Sequence, residues 1–163
     1  MKRPRKNINP GRLSKELMAF LYEQVVLRWE LDLAQHTGFN IRQKEFQVFQ
    51  QKNGITFEPL KNTVDFANRM KAPLPSGNWF VFCDTQGSQT KSLFKHLRNA
   101  AAHGRIRKTR TKLSLQSFNI EKKEVMKGEI EMEIFEPFVR ALVGTAITKQ
   151  PRAAAVVGRV RAA

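Results

Sequence analysis

Cysteine is nearly absent from this 163-residue chain. The single one, Cys83, rules out an intramolecular disulfide and leaves no cysteine pair with metal-ligand spacing. Histidine is scarce as well, with three residues, and no cluster of Asp, Glu and His at ligand spacing stands out. Long apolar runs are missing, and every apolar stretch is broken by charge well before bilayer-spanning length. The basic start, MKRPRKNINPGR, leads into an amphipathic segment and not into an apolar core of the kind a signal peptide carries. A cytoplasmic protein without a membrane partner, a metal or another cofactor is the expectation. Apolar residues make up 41%, which places the chain among globular sequences, and its length suits one domain.

Acidic residues are also few: 14 against 29 lysines and arginines, a net charge of +15. The excess is local. Lys2, Arg3, Arg5, Lys6 and Arg12 crowd the start, while Arg105, Arg107, Lys108, Arg110 and Lys112 crowd a central loop. Lys149, Arg152, Arg159 and Arg161 fall near the end. None of these stretches contains an acid, and the remainder of the chain is close to neutral. Acid-free basic segments suit a polyanion, because each neutralised phosphate releases condensed counterions. Tails of this kind also serve solubility alone, whereas the loop adjoins the motif described below.

Period and punctuation divide the chain into a basic arm (1–11), a body (12–148) and a basic low-complexity tail (149–163). Ser14 is a plausible N-cap, and Leu17, Phe20, Leu21, Val25, Leu27 and Leu31 recur at helical spacing up to about residue 35. Residues 39–52 fit a helix or a strand, ITFEPL is short, and 60–71 reads as a helix. WFVF reads as a brief apolar plug in the core. A helix over 89–103 follows, with Gly104 at the position where a helix-ending glycine belongs. KLSLQSFNI and GEIEMEIF alternate with period two and predict an antiparallel hairpin, and 135–147 returns to helical spacing. The tryptophans and phenylalanines fall mostly at core spacing, and Cys83 reads as a small buried apolar residue. The expected fold is mainly α, an up-and-down helical bundle with a late hairpin and a closing C-terminal helix.

The stretch HLRNAAAHG (96–104) carries the chemistry. Asn99 and His103 are four residues apart and share a helix face, with His96 one turn before them on that side. Arg98 lies about 140° round the helix from His103, so its long side chain must reach round, or a second chain must supply the partner. Histidine moves protons near neutral pH, and arginine offers a fixed fork of donors to a phosphate and to the charge of a phosphorane. On RNA the 2′-hydroxyl is the nucleophile, so this chemistry needs no metal. A histidine in a last helical turn is also favoured by the helix dipole alone.

LRNAAAHG resembles the Arg-Asn-x-x-x-His-Gly motif of the HEPN superfamily, with Arg98, Asn99, His103 and Gly104 matching position by position. The resemblance implies a helical bundle that dimerises, two motifs forming one composite, metal-independent endoribonuclease site. By that likeness His103 exchanges the proton, Arg98 binds the scissile phosphate and Asn99 orients them, leaving a 2′,3′-cyclic phosphate. Toxins and defence effectors are common in that superfamily, which would make a neutralising antitoxin a partner beside RNA and a second copy of the chain. Lys95, His96, Arg105, Arg107, Lys108 and Arg110 are the candidate RNA-binding residues. The alternative is a non-catalytic nucleic-acid-binding or interaction module.

Overall fold

The computed structural model describes residues 11–35, 38–40 and 42–147. The basic arm up to residue 10 and the tail from residue 148 lie outside the described residues. Among those described, no helix is long and apolar enough to cross a membrane.

The N-terminal helix begins at Ser14, whose Oγ accepts from the Leu17 amide. It runs as α1 (Lys15–Phe20), a wider π-helical stretch (Leu21–Leu27) and α2 (Arg28–Leu31), burying Phe20, Leu21, Val25 and Trp29 along one side. A 3-10 turn (Leu33–Gln35) and a short strand β1 (Gly38–Phe39) lead to α3 (Lys44–Lys52). Next come β2 (Ile55–Leu60), α4 (Thr63–Arg69), β3 (Asn78–Cys83), α5 (Gln89–Ala102), β4 (Ile106–Thr109), β5 (Lys112–Phe118), β6 (Glu124–Glu131) and α6 (Met132–Gly144). The two-residue β7 (Ala146–Ile147) pairs antiparallel with β1.

Five strands form one mixed sheet in the order β2-β3-β6-β5-β4. β2 and β3 are parallel, joined through α4, whereas β3-β6, β6-β5 and β5-β4 are antiparallel. The N-terminal helix, α3, α5 and α6 cover one face around a core that includes Phe80, Phe82, Phe94, Leu97, Phe135 and Phe138. α4 covers part of the other face over a smaller cluster of Phe66, Trp79, Val81, Cys83 and Val125. This is an α/β fold, and it corrects the expectation of a mainly α up-and-down bundle. The plug WFVF is the middle of β3, the strand that joins the parallel and antiparallel parts.

The physical reason is burial on both faces. All six residues of β3 are buried, Phe80 and Phe82 under the helices and Trp79, Val81 and Cys83 under α4. A strand covered on both sides is a continuous apolar run, and period alone cannot distinguish it from a core helix segment. β2 tolerates Pro59 because it is an edge strand, where a missing N–H costs no ladder bond. The loop expected over 105–112 is likewise strand β4 and its turn into β5, with Arg110 at φ +52° in the turn.

The predicted hairpin of 112–120 and 128–135 exists as β5 and β6, but β6 starts earlier and stops at Glu131. There the helical stripe Phe135, Phe138, Val139 and Leu142, buried throughout, prevails over the period-two pattern of Ile130, Met132 and Ile134. Gly128 in β6 lies opposite Phe80, whose ring occupies the space of a side chain. A Cβ there would stand 2.8 Å from Phe80 Cε1 and 2.9 Å from the Trp79 carbonyl oxygen.

Candidate functional site

Helix α5 positions the motif. Ser88 caps it, its Oγ accepting from the Lys91 amide at 3.4 Å, and Ser92 Oγ fastens the preceding loop by accepting from the Thr85 and Gln86 amides. Ser92 in turn donates to Asp84 Oδ1 at 2.7 Å. Leu93, Phe94, Leu97 and Ala100 bury the inner side of the helix, with Phe94 stacked on Trp29. Lys95, Asn99 and His103, spaced by four, therefore form a stripe along another side.

The helix ends as the glycine signal predicts. His103 is the C-cap, Gly104 adopts φ +65°, the Gly104 amide donates to the Ala101 carbonyl at 3.3 Å, and the Arg105 amide donates to that of Ala100 at 2.8 Å. This Schellman turn leaves the His103 side chain exposed and sends the chain straight into β4.

The stripe forms one wall of a groove of about 690 Å³. It opens at the end of the sheet where β2 and β3 finish, between α4 and α5, which leave those neighbouring strands toward opposite faces. Lys61, Asn62 and Thr63 at the start of α4 line a second wall. Phe118, Asn119 and Ile120, at the β5–β6 turn, line a third, and Ile120 is 99% exposed. His103 also belongs to an adjoining pocket of about 180 Å³ with Arg105, Arg107, Ser114 and Gln116, so it stands where the two meet.

Two motif residues have other surroundings. His96 is 3% exposed, and its Nε2 lies 2.7 Å from the Cys83 carbonyl oxygen. A carbonyl only accepts, so Nε2 carries the proton and donates. Burial holds the ring's pKa below its ordinary value, outweighing the opposing pull of that hydrogen bond. The ring is thus a neutral imidazole at pH 7, and its buried Nδ1 has no partner although His96 lines the groove. Burial likewise pushes the Cys83 thiol up, with Asp65 adding to the effect, which fits an inert packed thiol.

Arg98 is not among the groove-lining residues. Its guanidinium pairs with Glu30 on α2 through Nη2 and donates from Nη1 to Asn99 Oδ1 at 3.0 Å, while its Nε is buried without a partner. The structure therefore brings Lys95, His96, Asn99 and His103 together on one groove and turns Arg98 toward the N-terminal helix. Arg105 and Arg107 join His103 from the other side, and Lys108 and Arg110 are exposed farther along the β4 hairpin. Lys108 donates its amide to the Gly11 carbonyl at 3.4 Å, so the root of the basic arm lies beside this edge strand.

Sequence reasoning missed Lys61, Asn62, Thr63 and Phe118, which belong to the groove only because β2 and β5 end at the same edge of the sheet. It also missed Glu30, the acid that holds Arg98. No signal in the linear pattern connects those positions to the motif. Among the described residues no three of His, Cys, Asp and Glu come together as a metal-ligating group. Comparison with known proteins yields no matching family model, no matching curated protein and no matching solved structure.

Proposed function

We propose that this chain binds RNA along the groove and cleaves it, His103 exchanging protons with the strand as an endoribonuclease. The observation that carries the reading is the position of His103. It is an exposed imidazole between the Lys95–Asn99 wall of the groove and the Arg105–Arg107 pocket, so a strand crossing from one to the other passes it. Cations on either side neutralise neighbouring phosphates, and an imidazole between them is suited to take the 2′-hydroxyl proton. The freed 2′-oxygen attacks phosphorus, the 5′-oxygen leaves with a proton, and a 2′,3′-cyclic phosphate remains. Arginine forks stabilise the charge of that transition state. The reading rests on these residues and on the motif they share with HEPN ribonucleases, not on the bundle fold of that superfamily.

The protein acts as a homodimer in this reading, as the motif's resemblance implies, with the two copies joining their His103 residues in one composite cleft. A toxin role with a neutralising partner, and action in the cytoplasm, complete the proposal. The test is incubation of single-stranded RNA with the purified protein in EDTA. Cleavage with cyclic phosphate ends is expected, abolished in His103→Ala with RNA binding retained. Cleavage undiminished in both His103→Ala and Arg98→Ala removes the assignment.

One observation favours the second reading, a non-catalytic RNA-binding module: Arg98, the phosphate ligand the motif implies, is occupied by Glu30. Salt-sensitive RNA binding with no cleavage at any protein concentration selects it.

A further inference from the structure

The groove has a composition that phosphate binding alone does not require. Its cations, Lys61 and Lys95, sit on two different walls, while the β5–β6 turn contributes the apolar Phe118 and Ile120. Phe118 is half-buried, and the Arg105 guanidinium lies over its ring at 4.4 Å from the centroid. One face of the aromatic ring is thus backed by a cation while the residue still lines the groove. Ile120 at 99% exposure stands at the same wall, an apolar side chain that the fold itself leaves uncovered. Beside them His96 offers a neutral ring whose buried Nδ1 lacks a hydrogen-bond partner. The whole is built at the carboxyl ends of two parallel strands whose helices depart to opposite faces, the crevice where open α/β sheets take ligands. A ligand with a flat aromatic part and an anionic part fits such walls, and a groove of about 690 Å³ accommodates one nucleotide with room for its neighbours.

We propose that the groove is a base-binding subsite: one unstacked nucleotide lays its base against Phe118, with Arg105 backing the ring, and turns its phosphate toward Lys61 and Lys95. The proposal rests on the RNA-binding reading and adds to it the place where a base, and not only a backbone, is held. Stacking on an aromatic platform tolerates any base and makes the protein select unpaired strands over duplex. Cation–π backing holds the ring in place, and replacing the neutral Phe118 by another neutral residue leaves the net charge of the groove unchanged.

The test uses the full chain and a non-cleavable 2′-O-methyl hexanucleotide, with a twin of equal charge whose sugars carry no bases. Affinities are measured by fluorescence anisotropy at two salt concentrations, for wild type and for Phe118→Leu. Wild type is expected to bind the base-bearing strand about 5-fold to 150-fold more tightly than the abasic twin, the range that about 1–3 kcal/mol per stacked base implies. Phe118→Leu is expected to lose that preference while its affinity for the twin and its salt dependence stay at wild-type values. Equal wild-type affinity for both strands overturns the proposal, as does an unchanged preference in Phe118→Leu. The first comparison needs no variant, so a misfolded Phe118→Leu leaves it decisive. Cleavage of RNA with equal affinity for the two strands ends the subsite and spares the enzyme. Base preference without cleavage ends the enzyme and spares the subsite.

Discussion

Helix α5 carries two histidines on one face, two turns apart, and their surroundings are opposite. His96 is sealed against β3, neutral and tied to the Cys83 carbonyl, whereas His103 caps the helix in the open, between the groove and the pocket of Arg105 and Arg107. The same residue type is a buried, hydrogen-bonded ring seven residues before it is an exposed one. What differs is the neighbouring sheet: β3 ends against the ring of His96, and the Schellman turn lifts His103 clear of it. Position along one helix, not residue type, thus decides which imidazole meets solvent.

That contrast can be broken from its buried side first. Phe94→Ala, removing a fully buried ring stacked on Trp29, should cost about 3–5 kcal/mol in urea unfolding. His96→Ala should cost about 2–4 kcal/mol, since it opens a cavity and leaves the Cys83 carbonyl without its donor. His103→Ala at the exposed end should change stability by less than about 0.5 kcal/mol and, in the enzyme reading, abolish cleavage. A loss of stability in His103→Ala comparable to that of His96→Ala would erase the distinction between the two.

Acid sharpens the comparison. The folded-state pKa of His96 is depressed, so the unfolded chain binds more protons than the folded one as pH falls below the ordinary histidine value of 6.5. Stability from keeping this ring neutral is therefore complete above pH 6.5 and declines below it, down to the lowered folded-state value. Stability curves between pH 7 and 5 should be flatter in His96→Gln than in wild type. An identical slope in both would mean that the ring is not held neutral.

The smallest effect concerns Arg98. Its pair with Glu30, partly open to solvent, contributes at most about 1 kcal/mol, so Glu30→Gln should scarcely move the unfolding midpoint. In the enzyme reading the same variant releases the guanidinium for phosphate and should raise cleavage several-fold. Unchanged cleavage in Glu30→Gln, with cleavage lost in Arg98→Ala, would show that Arg98 acts without leaving its acid.

The local elements were legible where one periodicity governed them. The Ser14 cap, the helix ending at Gly104 and the β5–β6 pairing follow from spacing, whereas the stripe after Ser14 holds only in part: Phe20, Leu21 and Val25 are buried, but Leu31 is exposed and Trp29 takes the buried place. β3 was not, because burial on both faces removes alternation, and with it went the sheet and the fold class. β4 was obscured by its charge. On an edge strand exposed cations are compatible with pairing, and they discourage a second chain from adding to the edge. At the site, Lys95, Asn99 and His103 were readable as one helix face. The walls contributed by β2, α4 and the β5–β6 turn depend on long-range strand order, which no local pattern encodes.

Gly104 joins two places that otherwise have separate origins. Its left-handed turn sets the direction in which the chain leaves His103, and the next residue, Arg105, reaches back over Phe118. The glycine thus works as an elbow with the exposed His103 on one arm and the Arg105–Phe118 pair on the other. A substitution that stiffens or opens it misaligns both at once, even though it touches neither.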